Sequence, residues 1–137
     1  MRFSRVFILC FVFVCLCLTP DARAQKNVFK ATVDSDGVQR VTVTGGSYFF
    51  NPDYIILKAN VPVEMTVKRE AGLTPHDIVI KGADAGIDIT EELDTEPKVI
   101  KFTPKKTGKY PFYCSKKLLF FKSHRERGME GVIEVVE

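Results

Sequence analysis

Period-two alternation of apolar and polar residues runs through the chain from residue 28 onward and restricts it to β-structure. The clearest example is residues 61–68, where apolar side chains at every second position would share one face of a strand. No stretch of convincing length shows the 3.6-residue period of an amphipathic helix. Further runs rich in β-branched and aromatic residues lie between turn-forming residues, at 28–33, 38–48, 54–57, 76–80, 99–102, 109–114 and 132–136. Seven to eight short strands at this spacing predict an all-β protein, an antiparallel β-sandwich.

Two segments interrupt the strand pattern. Residues 82–97 carry six acidic side chains without the oxygen-ligand spacing of a calcium loop. We expect a solvated acidic loop there, with room for a short helix. Residues 115–131 form the second interruption and contain most of the chemistry considered below. We find no internal repeat and no linker, and predict a single domain over residues 25–137.

The first 24 residues have the features of a signal peptide. Arg2 and Arg5 precede an unbroken apolar run at residues 6–18, and residues 22–24 supply an A-x-A cleavage site. A helix over that run would be about 20 Å long, which is shorter than the bilayer core of about 30 Å. We therefore predict a signal peptide at residues 1–24. The mature chain would be periplasmic or otherwise exported and would have no membrane span. A retained membrane anchor is the alternative.

Composition excludes two broad classes of function. The hydrophobic fraction is 45%, the formal net charge is +3 and the mean hydropathy is near zero, all ordinary values for a globular domain. They exclude a multi-span membrane protein and a protein that binds nucleic acid through a strong positive charge. Removal of residues 1–24 leaves 17 basic and 16 acidic residues.

The mature chain would retain a single cysteine, Cys114, because the other three lie within residues 1–24. One cysteine cannot form an internal disulfide, which excludes a disulfide-stapled scaffold. A lone thiol in an oxidising compartment is vulnerable unless something occupies it. This is the first indication of function.

Four side chains with metal-binding chemistry follow in a suggestive order: His76, Cys114, His124 and Met129. Strand parity directs His76 and Cys114 into the sandwich, near one end. Taken singly, each would more often be a packing residue. Together, two imidazoles, a thiolate and a thioether are the ligand set of a blue-copper electron-transfer site. Zinc can also occupy a Cys and two His, so selectivity would depend on scaffold rigidity and metal supply.

At this point the sequence resembles the cupredoxin family of small exported blue-copper proteins. The resemblance spans almost all of the mature chain and rests on residues 50–67, the Thr-Pro-His-Asp sequence at 74–77, and residues 102–104 and 108–114. It implies a Greek-key sandwich and one copper ion that cycles between Cu(I) and Cu(II). It also implies a one-electron carrier whose partner is a c-type cytochrome or an oxidase, and we expect a monomer.

The chain departs from the family pattern in its ligand loops. Nine residues separate Cys114 from His124, more than in plastocyanin- or azurin-like proteins, and Asp77 stands where many members have Asn. The family pattern implies a hydrogen-bonded tie between Asp77 and Ser115, the residues that follow the first histidine and the cysteine. The alternative is that Asp77 is a solvated acid at a strand end.

Residue counts argue against an enzyme. A dinuclear copper centre needs a second cysteine in the ligand loop, where position 118 is Leu, and catalytic copper needs further histidines. Four protein ligands leave no open position for substrate. The competing functions are therefore electron transfer, copper handling without obligatory redox turnover, and a structural domain with an empty site.

The long ligand loop carries four consecutive large apolar residues at 118–121, flanked by Lys116, Lys117, Lys122, Arg125 and Arg127. Such residues are costly to expose. One interpretation is a docking surface around His124, with an apolar centre and a basic rim. The other is a helical turn, formed by Leu118 and Phe121, that packs onto the sandwich as a lid. Both could hold at once, with some of the four apolar residues buried and the rest exposed.

Overall fold

Ten β-strands in two sheets make up nearly all of the regular structure in the computed structural model, which describes residues 26–137. Two short 3₁₀ helices, Ala83–Ala85 and Arg125–Arg127, complete it. The strands are β1 (Val28–Lys30), β2 (Gln39–Gly46), β3 (Phe49–Asn51), β4 (Tyr54–Lys58), β5 (Val63–Arg69), β6 (His76–Gly82), β7 (Ile87–Leu93), β8 (Lys98–Phe102), β9 (Gly108–Tyr113) and β10 (Glu130–Val136).

The predicted all-β sandwich is confirmed, and its pairing is richer than alternation alone indicated. The larger sheet has the order β1-β4-β10-β9-β6-β7 and the smaller one the order β3-β2-β5-β8. There are ten strands rather than seven or eight. Three pairings, β1 with β4, β4 with β10 and β2 with β5, are parallel. Parallel and antiparallel strands share the same side-chain period, so local alternation could not reveal the direction of pairing.

The core lies between the two sheets and follows the predicted alternation. In β5, Val63, Met65 and Val67 are buried and the residues between them are not. Ile78 and Ile80 on β6 face them from the larger sheet as part of the same hydrophobic cluster. Each fully buried aliphatic side chain of this size contributes about 1.5–3 kcal/mol of transfer free energy. This packing gives the strand ends a rigid base.

The expectation of a solvated loop over residues 82–97 is wrong. The segment holds the helix Ala83–Ala85 and then β7, which pairs with β6 along its whole length. Ile87, Ile89 and Leu93 are buried, while acidic or polar residues between them face outward. The density of carboxylates obscured a period-two pattern that was present in the sequence.

The predicted signal peptide, residues 1–24, lies outside the described residues. Among residues 26–137, no helix has both the length and the apolar character needed to span a bilayer.

Candidate metal centre

Three neighbouring strands of the larger sheet bring the predicted ligands to one end of the sandwich. His76 is the first residue of β6, Cys114 directly follows β9, and Met129 directly precedes β10. Because β9 runs antiparallel to both neighbours, its end lies beside their beginnings. The Cys114 N–H donates to the Met129 carbonyl at 3.1 Å, which extends the β9–β10 ladder into the site.

The two imidazoles and the thiol converge on a common point. His124 Nδ1 lies 3.1 Å from His76 Nδ1 and 3.4 Å from Cys114 Sγ. The distance between Cys114 Sγ and His76 Nδ1 is 3.9 Å. All three residues are buried. The fold thus brings together three of the four predicted residues, although His76 lies 38 residues before Cys114 in sequence.

Met129, the fourth predicted residue, is fully buried beside this group. Its N–H donates to the His124 carbonyl at 3.0 Å, so the two residues are held in one short turn. A Cβ added at Gly45 of β2 would lie 3.2 Å from the Met129 Cε. The smaller sheet therefore closes over the thioether side of the group.

The donor set fits a thiophilic metal ion. Metal–nitrogen and metal–sulfur bonds are about 2.0 and 2.3 Å long for a zinc-sized ion, so donors separated by 3.1–3.9 Å can share one ion between them. Thiolate and thioether favour Cu(I), while imidazole binds both copper oxidation states. Among the described residues this is the one group of three or more His, Cys, Asp or Glu whose ligand atoms cluster in this way.

Burial sets the protonation of the metal-free group. Loss of solvation lowers the pKa of His76 below its usual value of 6.5, and the positive charges of His124 and Arg69 act in the same direction. Burial and then the Arg127 charge likewise lower the pKa of His124. The pKa of the Cys114 thiol is raised above 9.0, chiefly by burial. At neutral pH the metal-free group therefore consists of two neutral imidazoles and a thiol.

The predicted tie between the ligand segments is present. The Ser115 N–H donates to Asp77 Oδ1 at 2.6 Å, and the Ser115 hydroxyl donates to Asp77 Oδ2. Asp77 is buried rather than solvated at a strand end. Lys116 approaches the same carboxylate, with its Nζ 3.9 Å from Asp77 Oδ2, and also pairs with Glu92.

The loop between Cys114 and His124 is fixed at its base and projects at its tip. The His124 N–H donates to the Lys116 carbonyl at 2.9 Å, which closes the base. The Phe121 N–H donates to the Leu118 carbonyl at 3.0 Å, so the expected turn forms. All four residues from Leu118 to Phe121 are exposed, however, and Phe120 retains 87% of its accessible surface. The lid interpretation is therefore wrong.

A cavity of about 490 Å³ opens between this loop and the segment 73–75. His124 and Tyr48 contribute to its walls. One histidine of the candidate metal group therefore borders an opening to solvent. Leu118 and Phe121 also line the cavity, while Lys117, Lys122 and Arg127 provide cationic walls.

Sequence reasoning missed two residues that shape the site. The Tyr48 ring meets the His124 ring edge to face, with centroids 5.0 Å apart and planes at 80°, and no sequence signal identified it. Gly45 permits the close approach of Leu93 and Met129. Here a signal existed, because glycine inside a strand often marks a close approach.

Comparisons with known proteins identify the family and the fold. A family model described as a cupredoxin-like domain matches residues 7–128. No curated protein sequence matches the chain significantly. Three similar solved structures are the metal-binding domain of a Cu(I)-exporting P-type ATPase of Streptococcus pneumoniae, solved with Cu(I), a copper-binding protein solved in its apo form, and reduced auracyanin from Roseiflexus castenholzii.

The first two structures are each 24% identical to the chain, with TM-scores of 0.62 and 0.59, and the auracyanin is 18% identical with a TM-score of 0.57. The alignments cover 82%, 79% and 72% of this chain and 99%, 96% and 97% of the respective structures. These likenesses show a shared fold over almost the whole length of each relative. The family model matches most of the length of this chain, at residues 7–128. The chain therefore belongs to the cupredoxin-like domain family.

Proposed function

We propose that the protein is an exported mononuclear copper protein that acts as a one-electron carrier. His76, Cys114 and His124 would hold the ion, and Met129 would supply a weaker fourth contact. The observation that carries the proposal is the convergence of the ligand atoms of His76, Cys114 and His124 within 4.8 Å, in a buried group formed by two strand ends and the loop before β10. Bound copper would supply the electron, by cycling between Cu(I) and Cu(II).

The chain's own contribution is to keep the ligand atoms still. Backbone hydrogen bonds join Cys114 to Met129 and Met129 to His124, and the Asp77–Ser115 bonds join the first histidine's strand to the cysteine's segment. A braced group of mixed soft and intermediate ligands is a compromise between the geometries that the two oxidation states prefer. Little then has to move when an electron enters or leaves.

His124 would be the point of electron entry and exit, because it is the ligand that lines the cavity. A redox protein such as a c-type cytochrome or an oxidase would be the partner. With four protein donors around one ion there is no position for a substrate, so the proposal assigns the chain no catalysis of its own.

Copper handling is the second candidate, and the same cavity favours it. An opening beside one ligand histidine gives an incoming thiol or imidazole a route for exchanging the metal. The two functions differ in what a partner removes: an electron in the first, the ion in the second. Both are compatible with the same four side chains.

The deciding experiment uses the copper-loaded chain. A carrier shows intense visible absorption in the Cu(II) form and completes many cycles of reduction by ascorbate and reoxidation without losing copper. A copper-handling protein instead loses Cu(I) to a competing chelator within the same period and reoxidises slowly. Metal content and absorbance followed through repeated cycles distinguish the two, and failure to bind copper at all would overturn both.

A further inference from the structure

The tip of the Cys114–His124 loop exposes several large apolar side chains to solvent. Leu118 and Leu119 retain 64% and 72% of their accessible surface, and Phe120 retains still more. Leu119 adopts a left-handed backbone with φ of 47°, which is uncommon for a leucine. The loop is closed at its base by backbone hydrogen bonds, so this exposure is a property of an ordered turn. Contiguous exposed apolar surface rimmed by polar residues marks an interaction site.

The surface is extended by a second loop. Leu73 is fully exposed on the segment that forms the opposite wall of the cavity. The apolar residues thus surround a concave opening of about 490 Å³ with His124 on its wall. We call this opening and the residues around it the His124 face.

The charges on the His124 face are almost all positive. Lys117, Lys122 and Arg127 line the cavity, and within residues 26–137 none of them has a carboxylate oxygen within salt-bridge distance. Glu126 is the nearest acid in sequence; hydrogen bonds from Ser123 lower the pKa of its carboxyl, and the charges of Lys117 and Lys122 act in the same direction. Lys116, which also lines the cavity, pairs with Glu92. No acidic residue lines the cavity itself, so among the described residues its rim carries an excess of positive charge.

We propose that the His124 face binds an acidic protein surface that inserts a protruding apolar side chain into the cavity. Carboxylates around that side chain would meet the rim lysines and set the rate of encounter, while the apolar contact would bring the partner close to His124. A second copy of this chain would place like charges opposite one another. A flat bilayer would leave the concave opening poorly filled. This inference rests on the proposed function, whose redox partner it describes by shape and charge.

The test measures binding separately from electron transfer. Isotope-labelled protein in its diamagnetic Cu(I) form is titrated with an acidic c-type cytochrome, and separately with a basic one of similar size and potential. We expect the acidic cytochrome to shift the backbone resonances of residues 73–75 and 116–122. Its Kd should rise about tenfold between low and physiological ionic strength, because screening weakens the charge contacts. Equal binding of both cytochromes, or resonance shifts confined to another surface, would overturn the proposal.

Paired variants separate the two components of the face. Leu118→Ser should weaken binding while keeping its salt dependence, whereas Lys117→Glu should weaken binding and flatten that dependence. Exposed residues away from the loop provide the matched controls: Val99→Ser on β8, and Lys58→Glu at the opposite end of the larger sheet. Equal effects of a control and its matched variant would count against the His124 face.

A third titration uses vesicles of phosphatidylcholine and phosphatidylserine. Binding of vesicles through residues 116–122, without binding of the acidic cytochrome, would replace the proposal with a membrane-binding surface. If the acidic cytochrome binds as expected but exchanges no electron with the protein, the docking surface stands and the carrier function fails. If electrons pass while the His124 face stays unperturbed, the carrier function stands and the docking surface fails.

Discussion

Asp77 accepts hydrogen bonds from both the backbone N–H and the hydroxyl of Ser115, which lies 38 residues further along the chain. Asp77 follows His76 on β6, and Ser115 follows Cys114 after β9. The carboxylate therefore joins the segments that carry two of the proposed ligands. A buried carboxylate is stable only when such donors satisfy it, so this pair ties the geometry of the site to the stability of the fold.

Replacing Asp77 tests how much the metal depends on this tie. Asp77→Ala should lower copper affinity about 10–100-fold, the usual range for partners that orient ligands, and should also shift the reduction potential. Ser115→Ala should have a smaller effect, because the 2.6 Å bond from the backbone N–H remains. Affinity is measured by competition with a Cu(I) chelator.

The matched control for this prediction is Asp88→Ala. Asp88 is an exposed aspartate on β7 that pairs with Lys81. If Asp77→Ala keeps both the affinity and the potential of the unaltered protein, the tie has no influence on the metal.

Removing the thiol should abolish the colour of the site. Cys114→Ser replaces a soft thiolate by a hydroxyl, which is a poor ligand for copper in this setting. We expect loss of the intense visible absorption of the Cu(II) form and of nearly all redox cycling, while circular dichroism stays that of a β-protein. A variant that remained deeply coloured would show that Cys114 does not bind the ion.

Much of the site could be predicted because its chemistry is rare in this chain. Residues 25–137 contain one cysteine and two histidines, and strand parity directs His76 and Cys114 inward. The Asp77–Ser115 bonds were also predicted, from the family resemblance. What brings His124 to the same point is the closure of a nine-residue loop by its hydrogen bond to Lys116, and no local pattern encodes that bond.

The fold was predictable to the level of the sandwich and no further. Strand β7 was not predicted because charged and polar residues occupy its outward positions and give the segment the composition of a loop. The exposure of residues 118–121 could not be derived either, since the same turn could have faced the core. Whether a turn faces inward depends on the space that remains beside Tyr48 and His124, which is a property of the assembled sheets.

Metal loading should release about one proton per ion at pH 7.5. Burial holds the pKa of Cys114 above its usual value, so the thiol is protonated before the metal arrives and must lose its proton to bind. The lowered pKa values of His76 and His124 leave both imidazoles neutral at this pH. Anaerobic calorimetry with Cu(I) in buffers of different ionisation enthalpy counts the protons, and Cys114→Ser should release none.

The metal-free protein should lose stability as the pH falls through the ordinary range of histidine. The folded-state pKa values of His76 and His124 lie below 6.5, so below that pH the unfolded chain binds more protons than the folded one. The two histidines make their full contribution to the free energy of unfolding above pH 6.5. This contribution declines as the pH falls toward their lower folded-state pKa values.

The measurement for this prediction is urea unfolding at pH 7.5 and at pH 5.5. The chain has no other histidine, so a His76→Gln/His124→Gln variant should show a flatter profile between these two pH values. The carboxylates of Glu64 and Asp84 have pKa values lowered by their lysine and arginine partners, so they titrate in a more acidic range. An unchanged slope in the double variant would mean that other groups govern the pH dependence.

Gly45→Ala should alter the metal site more than the fold. The added Cβ would lie 2.7 Å from the Leu93 Cδ1 and 3.2 Å from the Met129 Cε. Both are terminal atoms of flexible side chains that can move aside, and overpacking of this kind costs about 1–3 kcal/mol. Met129 would retreat from the imidazole–thiol group, so we expect a changed reduction potential and a shifted visible band in the copper-loaded variant.

The matched control is Gly72→Ala, because an added Cβ there meets nothing within 4 Å. Voltammetry and absorption spectra of both variants, with urea unfolding to record stability, provide the measurements. Identical potentials and spectra for the two variants would mean that the position of Met129 has no influence on the ion.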